Sequence, residues 1–394
     1  MSLTVPPATE FPVLAQEGLV YLDSAATSQT PRSVIEAMDR YYNEYRASIH
    51  RGVYPLAAEA TEAYEVAREK VAAFTGSTAG ETVFTRNGTE AINLVAYTLG
   101  LTPDDTVVLT QMEHHSNIVP WQLQRCGLEW VPITDDGLLD MDALDAALAK
   151  GPKLVAVTHV SNVLGTVNPI QEIARRAHEA GALVIVDGMQ AVPHMPVDVK
   201  ELDVDFYAWT GHKAYGPTGI GVLHGKRHLL EEMPPFLGGG HMIARVTEDK
   251  TTFAEPPAKF EAGTMMVAEA IGLGAATDFL SGIGMDAVWE HSRDVVGYAL
   301  ERLREVPGLR VFGPDAEHRG ALTAFELEGV HPHDVAEILG RQGVCVRAGH
   351  HCAQPLMRRL GVSATSRASF AVHSTREEVE RLVAGLETVR EVFA

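Results

Sequence analysis

The chain predicts an α/β fold, a mostly parallel sheet covered by helices on both faces, followed by a smaller α+β domain. Three observations carry this expectation. At 394 residues the chain is long enough for two domains and a substantial core. From about residue 80, short apolar runs alternate with helix-length amphipathic stretches, the rhythm of parallel strands joined by crossover helices. After Leu223 the texture changes, and the tail alternates strand and helix in a different style.

The elements follow in order. Thr82–Thr85 reads as a strand before a helix from about Glu90, and Thr106–Thr110 as a strand before a helix near Ile118. Leu154–Thr158 leads to a helix over Ile170–Ala180 and then to Leu183–Val186. Asp205–Thr210 is a further buried strand ending at a turn. Beyond Leu223, Pro234-Pro235 and Gly238-Gly239-Gly240 open a polar stretch to about Lys259 that reads as a long surface excursion. Two helices are expected over about Ala268–Leu280 and Met285–Val306. Then come a strand at Ala321–Leu327, a helix from His333, strands at Val344–Arg347 and Ala368–Val372, and a last helix near Arg376–Val392.

Composition excludes several classes. Apolar residues make up 46% and charged residues 21%, without fibrous or disordered bias. Lys and Arg total 32 against 52 Asp and Glu, a net charge of −20 that repels nucleic acid and anionic membrane. The three cysteines, Cys126, Cys345 and Cys352, make no disulfide framework in a chain this long, which fits a reducing compartment. Met1–Pro12 has neither a basic start nor an apolar stretch, and no run approaches the ~18 apolar residues of a membrane span. A cytoplasmic protein is expected, with no nucleic-acid or membrane partner.

In open α/β sheets, ligands sit beyond the carboxyl ends of the strands. His114, Asn162, Asp187 and Lys213 all fall there. A lysine in Gly211-His212-Lys213, close behind an apolar strand, is not a typical surface lysine. Desolvation makes its amine a better nucleophile and base, and lysine amines condense with carbonyl cofactors. Asp187 ends another apolar strand, 26 positions earlier. An amine for an aldehyde and a carboxylate for a pyridine nitrogen are the two groups pyridoxal phosphate needs. Taken alone, Asp187 reads equally well as a helix cap.

Gln190 lies on the same side as Asp187, within reach of the ring's phenolic oxygen. Thr210 and His212 flank the lysine and can donate to a phosphate. Thr89 stands where a strand turns into a helix, and a helix N-terminus with a hydroxyl suits an anion, although a threonine there also serves as a plain cap. The adjacent His114 and His115 suggest metal at first sight, but neighbours diverge in direction and no further ligand stands at metal spacing. His114 reads better as an imidazole stacked on an aromatic cofactor, and His115 as a structural histidine. No metal site is expected.

Cys126 and Cys345 lie in or beside apolar stretches, as buried structural cysteines do. Cys352 differs, standing on a Gly/His turn in Arg347–Pro355, before a proline-started helix and among basic residues that stabilise a thiolate. Arg367 lies beyond it, and arginine suits a substrate carboxylate.

Together these residues resemble the class V, fold type I pyridoxal-phosphate enzymes, and most of all the SufS-type (group II) cysteine desulfurases. The resemblance runs from Tyr21–Ala26 to the last helix. Its specific pieces are Glu113–Trp121, His159–Gly165, Gly211–Lys213, Phe260–Thr264 and Arg347–Pro355. It implies a large cofactor domain over 21–284 with a mostly parallel seven-stranded sheet, and a small α+β domain over 285–394 carrying the Cys352 loop. An N-terminal segment, 1–20, would pack with the small domain.

The resemblance also implies roles. Lys213 would hold the cofactor and shuttle protons, His114 would stack on the ring, and Asp187 and Gln190 would hold its nitrogen and phenolic oxygen. Thr89, Thr210 and His212 would bind phosphate, joined by Thr264 across a homodimer interface. Asn162 and Arg367 would orient the carboxylate of L-cysteine, with Arg347 positioning the loop or the substrate. Thiolate Cys352 would take the sulfur as a persulfide, leave alanine, and pass the sulfur to an acceptor for iron–sulfur cluster assembly. His331-Pro332-His333-Asp334 resembles the branch whose acceptor is a small zinc-containing scaffold that His333 reaches, or His333 is simply an exposed histidine at a helix start.

Departures are Asn87-Gly88 for the family's Gly-Thr, Met265 for its proline, and His373-Ser374 for its Tyr-Asn. Selenocysteine lyase, cysteine sulfinate desulfinase and aminotransferase activities keep the cofactor but have less use for Cys352. A non-catalytic sulfur carrier would have lost Lys213, Asp187 or Arg367.

Overall fold

The computed structural model describes residues 8–393. Seven strands form the central sheet, in the order Thr82–Thr85, Gly221–Gly225, Phe206–Thr210, Leu183–Asp187, Leu154–Thr158, Thr106–Thr110, Gly127–Val131. The last five pair in parallel, and Gly221–Gly225 runs antiparallel to both neighbours, so the sheet is mixed and mostly parallel. Every residue of Leu154–Thr158, Phe206–Thr210 and Gly221–Gly225 is buried, as both-face coverage demands.

Side chains alternate between two cores. Val155, Val157, Val184, Val186, Tyr207 and Trp209 enter one, and Leu154, Ala156, Ile185, Phe206 and Ala208 enter the other.

A second sheet, Leu309–Phe312, Leu322–Leu327, Thr365–Ser369 and Arg347–Gly349, is antiparallel throughout. Helices Met285–Arg304, Pro332–Arg341 and Arg376–Phe393 share its core through Val296, Leu303, Leu339 and Leu386. Val20–Tyr21 pairs in parallel with Val344–Cys345, and Asp23 bridges to Ser369. The start of the chain thus joins the C-terminal sheet, while residues 1–7 of the expected 1–20 segment lie outside the described residues.

Three expectations need correction. The excursion after Leu223 is not all loop, because Ile243–Val246 and Thr251–Phe253 form an antiparallel hairpin. The expected strand Val344–Arg347 is two short ones serving different partners. The strand expected at Ala368–Val372 lies at Thr365–Ser369. Phe370, Ala371 and Val372 are buried by packing outside the ladder, so their apolar run misplaced the strand.

Candidate active site

One cavity of about 260 Å³ gathers residues from both halves of the chain. Its walls include Thr89, His114, Asn162, Lys213, Cys352 and Arg367. Thr210, His212 and Arg347 line it too. His114, Asn162 and Lys213 follow the carboxyl ends of parallel strands, where the fold leaves a crevice.

Thr89 opens the helix Gly88–Thr98. Asn87 caps that helix, its Oδ1 accepting from Glu90 N–H at 2.9 Å, so the departure at this position still satisfies a free helix donor. Gly88 allows close packing here, because a Cβ would stand 2.1 Å from Met189 Cε.

Lys213 ends a single turn, Gly211–Lys213, behind a buried strand. The His212 carbonyl accepts from Ser28 N–H at 2.9 Å and from the Thr27 and Ser28 hydroxyls at 3.1 Å each, which pins the turn. The lysine lines the cavity, and burial pushes its amine down to about 8, with Asp187 opposing the shift and Arg367 adding to it. Asp187 lies behind this wall at 4% exposure, its carboxyl raised by burial while Oδ1 accepts from Met189 N–H at 3.0 Å. Gln190 is buried nearby, with Nε2 donating to Ala25 O at 2.8 Å.

His114 is held neutral, pushed down to about 3 first by burial and then by Lys213. Its Nδ1 accepts from Ser116 N–H at 3.1 Å, which assigns the ring hydrogen to Nε2. The preceding Glu113 is fully buried. Its carboxylate accepts from Thr110 Oγ1 at 2.7 Å, Asn117 Nδ2 at 2.6 Å and Thr158 N–H at 2.9 Å, tying together two strand ends. Burial raises Glu113 to about 8 against those hydrogen bonds.

Cys352 is exposed on a turn in which Gly349, His351 and Cys352 all have positive φ. Such backbone persists only where its surroundings impose it, and four contacts do so. Asn162 Nδ2 donates to His351 O at 2.7 Å, and His115 N–H to Cys352 O at 2.7 Å. Gln354 N–H donates to His115 Nε2 at 3.1 Å, and His351 Nε2 lies 2.9 Å from Thr365 Oγ1. The structural reading of His115 is thus a tether for this loop. Arg367 is buried, donating to Asn162 O at 2.8 Å, and its Nε has no partner among the described residues.

Two predicted residues lie elsewhere. Thr264 lines a separate groove of about 710 Å³ with Tyr41, Arg46, Arg51 and His241. His333 is exposed at the start of the helix Pro332–Arg341, stacked on His331 with ring centres 5.3 Å apart. Cys126 and Cys345 are half-buried rather than buried. Among the described residues no three His, Cys, Asp or Glu side chains are grouped to hold a metal ion, and no helix is long and apolar enough to cross a membrane. Asp23, Glu113 and Ser116 carry no functional signature in the sequence. Their signal is only polarity beside an apolar strand or a histidine, which many residues share.

The cavity combines a helix N-terminus with hydroxyls, a neutral imidazole and a desolvated amine, and a buried carboxylate lies behind its wall. That set suits a small phosphorylated aromatic aldehyde.

The comparisons agree with this chemistry. The Aminotransferase class-V family matches residues 20–382. A probable cysteine desulfurase of Streptomyces coelicolor is 52% identical over 98% of this chain and 96% of its own length. A cysteine desulfurase of Dickeya dadantii is 52% identical over the same shares. The apo structure of a cysteine desulfurase from Thermococcus onnurineus superposes with a TM-score of 0.95 at 40% identity, covering 99% of both chains. The Escherichia coli cysteine desulfurase CsdA, solved as an S-sulfonic acid, gives 0.90 at 40% identity over 98% of each. The chain belongs to the class-V aminotransferase family, among its cysteine desulfurases.

Proposed function

We propose that the protein is a pyridoxal-phosphate-dependent cysteine desulfurase that converts L-cysteine to L-alanine and keeps the sulfur on Cys352. The observation that carries this reading is the meeting of Lys213, Arg367 and Cys352 on one cavity of about 260 Å³. Bound there, pyridoxal phosphate supplies an aldehyde and a ring that delocalises the electrons left when the Cα proton departs. Thr89, Thr210 and His212 would hold its phosphate, His114 would pack on the ring, and Asp187 and Gln190 would serve its nitrogen and phenolic oxygen.

Lys213 Nζ holds and returns the Cα proton, a task its lowered basicity suits. Arg367 takes the substrate carboxylate, supported by the unpaired Nε. Asn162 links that arginine to the cysteine loop through its carbonyl and its amide. In the sulfur step the substrate C–S bond breaks, Cys352 Sγ gains the sulfur as a persulfide, and the carbon skeleton leaves as alanine. Selenocysteine or cysteine sulfinate gives up its group without a thiol, so the placement of Cys352 supports L-cysteine.

In this reading residues 21–284 form the cofactor domain and 285–394 a small domain carrying the loop, with the described part, 8–20, of the N-terminal segment 1–20 attached to it. Thr264 serves the site of a second copy, supported by its groove of Tyr, Arg and His side chains lying apart from the cavity. The persulfide passes to an acceptor protein for iron–sulfur cluster assembly. An exposed His333 supports contact with an acceptor of the zinc-scaffold kind, and three free cysteines support residence in a reducing cytoplasm. Alanine release from L-cysteine by the loaded protein, raised by a thiol reductant and lost in Cys352→Ala, is the expected result. Equal alanine from both proteins overturns the role of Cys352.

A further inference from the structure

Asp23 has no part in the chemistry above, yet its two oxygens are divided between the two arginines of the site. Oδ1 accepts from Arg367 NH2 at 3.3 Å and Oδ2 from Arg347 NH1 at 3.4 Å. Backbone pairing builds this arrangement. Arg347 and Arg367 are register partners, and Asp23 bridges to Ser369, two residues further along the same strand and on the same face.

Both contacts are long for ionised partners, which prefer about 2.7–2.9 Å. Arg367 is 3% exposed while Asp23 keeps 19% exposure, so the carboxylate can move where the guanidinium cannot. Arg367 also buries an Nε hydrogen with no acceptor among the described residues. The buried guanidinium is thus loosely held by an internal carboxylate and has room for a second one.

We propose that Asp23 is an internal competitor for the substrate's α-carboxylate, sharing Arg367 in the resting protein and yielding it as the substrate binds. The inference rests on reading Arg367 as the carboxylate site. Two carboxylates on one guanidinium repel each other in a poorly solvated site. The charge of Asp23 therefore weakens carboxylate binding and keeps substrate and product exchangeable. Asparagine keeps one acceptor oxygen, enough for one of the two arginines, and removes the charge that repels a second carboxylate. Asp23 is a positioning residue in this scheme and touches no reacting atom.

The test compares L-alanine with L-alaninamide, its uncharged-carboxyl counterpart, as inhibitors of alanine-independent sulfide release by the loaded enzyme. Asp23→Asn should lower the KM for L-cysteine and the inhibition constant of L-alanine by roughly five- to tenfold, the scale of one partly screened charge contact. The constant for L-alaninamide should not move. Asp23→Ser, a smaller neutral side chain, should shift the same constants in the same direction and covers failure of the first variant to fold. Arg367→Gln, which removes the positive charge, separates the carboxylate site from the competitor role. If it leaves the preference for alanine over alaninamide unchanged, the reading of Arg367 falls, and this inference with it. If it abolishes that preference while the Asp23 variants weaken alanine binding, or move alanine and alaninamide equally, the competitor role alone is overturned.

Discussion

Lys213 and Asp187 oppose each other's shift. Burial disfavours both charges, lowering the amine to about 8 and raising the carboxyl, while each partly stabilises the other's ionised form. A lysine so placed is partly neutral near pH 7, as condensation with an aldehyde requires. The rate at which apoprotein gains colour on adding pyridoxal phosphate should therefore rise with pH and level off above about 8. A rate independent of pH from about 6 to 9 would contradict the desolvated lysine. The types and strand-end positions of these two residues were legible in the sequence. Asp23 and Ser116 were not, for different reasons. Asp23 meets Arg367 across 344 residues of chain, and Ser116 matters only through the ring nitrogen that its backbone N–H selects.

Elements are held to one another by a few buried polar links. Arg68, in the helix Pro55–Phe74, grips Glu261 with two hydrogen bonds of 2.7 and 2.8 Å, and Glu261 also accepts from Phe84 N–H at 2.8 Å. This joins a helix, an edge strand and the segment leading to Thr264. Arg68→Met should destabilise the protein by about 3–5 kcal/mol, since Glu261 would be left buried without its counter-charge. Equilibrium denaturation would show it, and a loss below about 1 kcal/mol would mean that the site relaxes or takes in water. Strands such as Leu154–Thr158 were legible because burial on both faces writes an unbroken apolar run. The strand at Thr365–Ser369 was displaced in the reading because its buried face carries site chemistry, Arg367 included, while the apolar Phe370–Val372 belongs to the core beyond the ladder. The split of Val344–Arg347 depends on a partner at residues 20–21, which no local pattern records.

At the scale of the whole molecule, acid should be the weak flank. Burial pushes His159, His194, His212, His224 and His373 down to about 4, and His114 and His351 to about 3. The unfolded chain protonates these rings near the ordinary ~6.5. Between there and about 4 it binds more protons than the fold, so stability falls as pH falls, by up to ~1.4 kcal/mol per pH unit for each ring. Glu113 and Glu378, raised by burial to about 8 and 7, and Asp187, also raised by burial, act in the opposite sense but are three against seven. Apoprotein should thus unfold at lower denaturant at pH 5.5 than at pH 7.5, and the reverse order would contradict the neutral buried rings. Among the described residues, His194, His291 and His373 each bury a ring nitrogen without a hydrogen-bond partner.

The central claim is that sulfur leaves L-cysteine onto Cys352. Its most direct test is the mass of the peptide containing Cys352 after the loaded protein meets L-cysteine without reductant or acceptor. The account predicts that this peptide gains one sulfur atom, that the peptides of Cys126 and Cys345 do not, and that alanine appears in step with the gain. Alanine formed while the Cys352 peptide stays unchanged would contradict it.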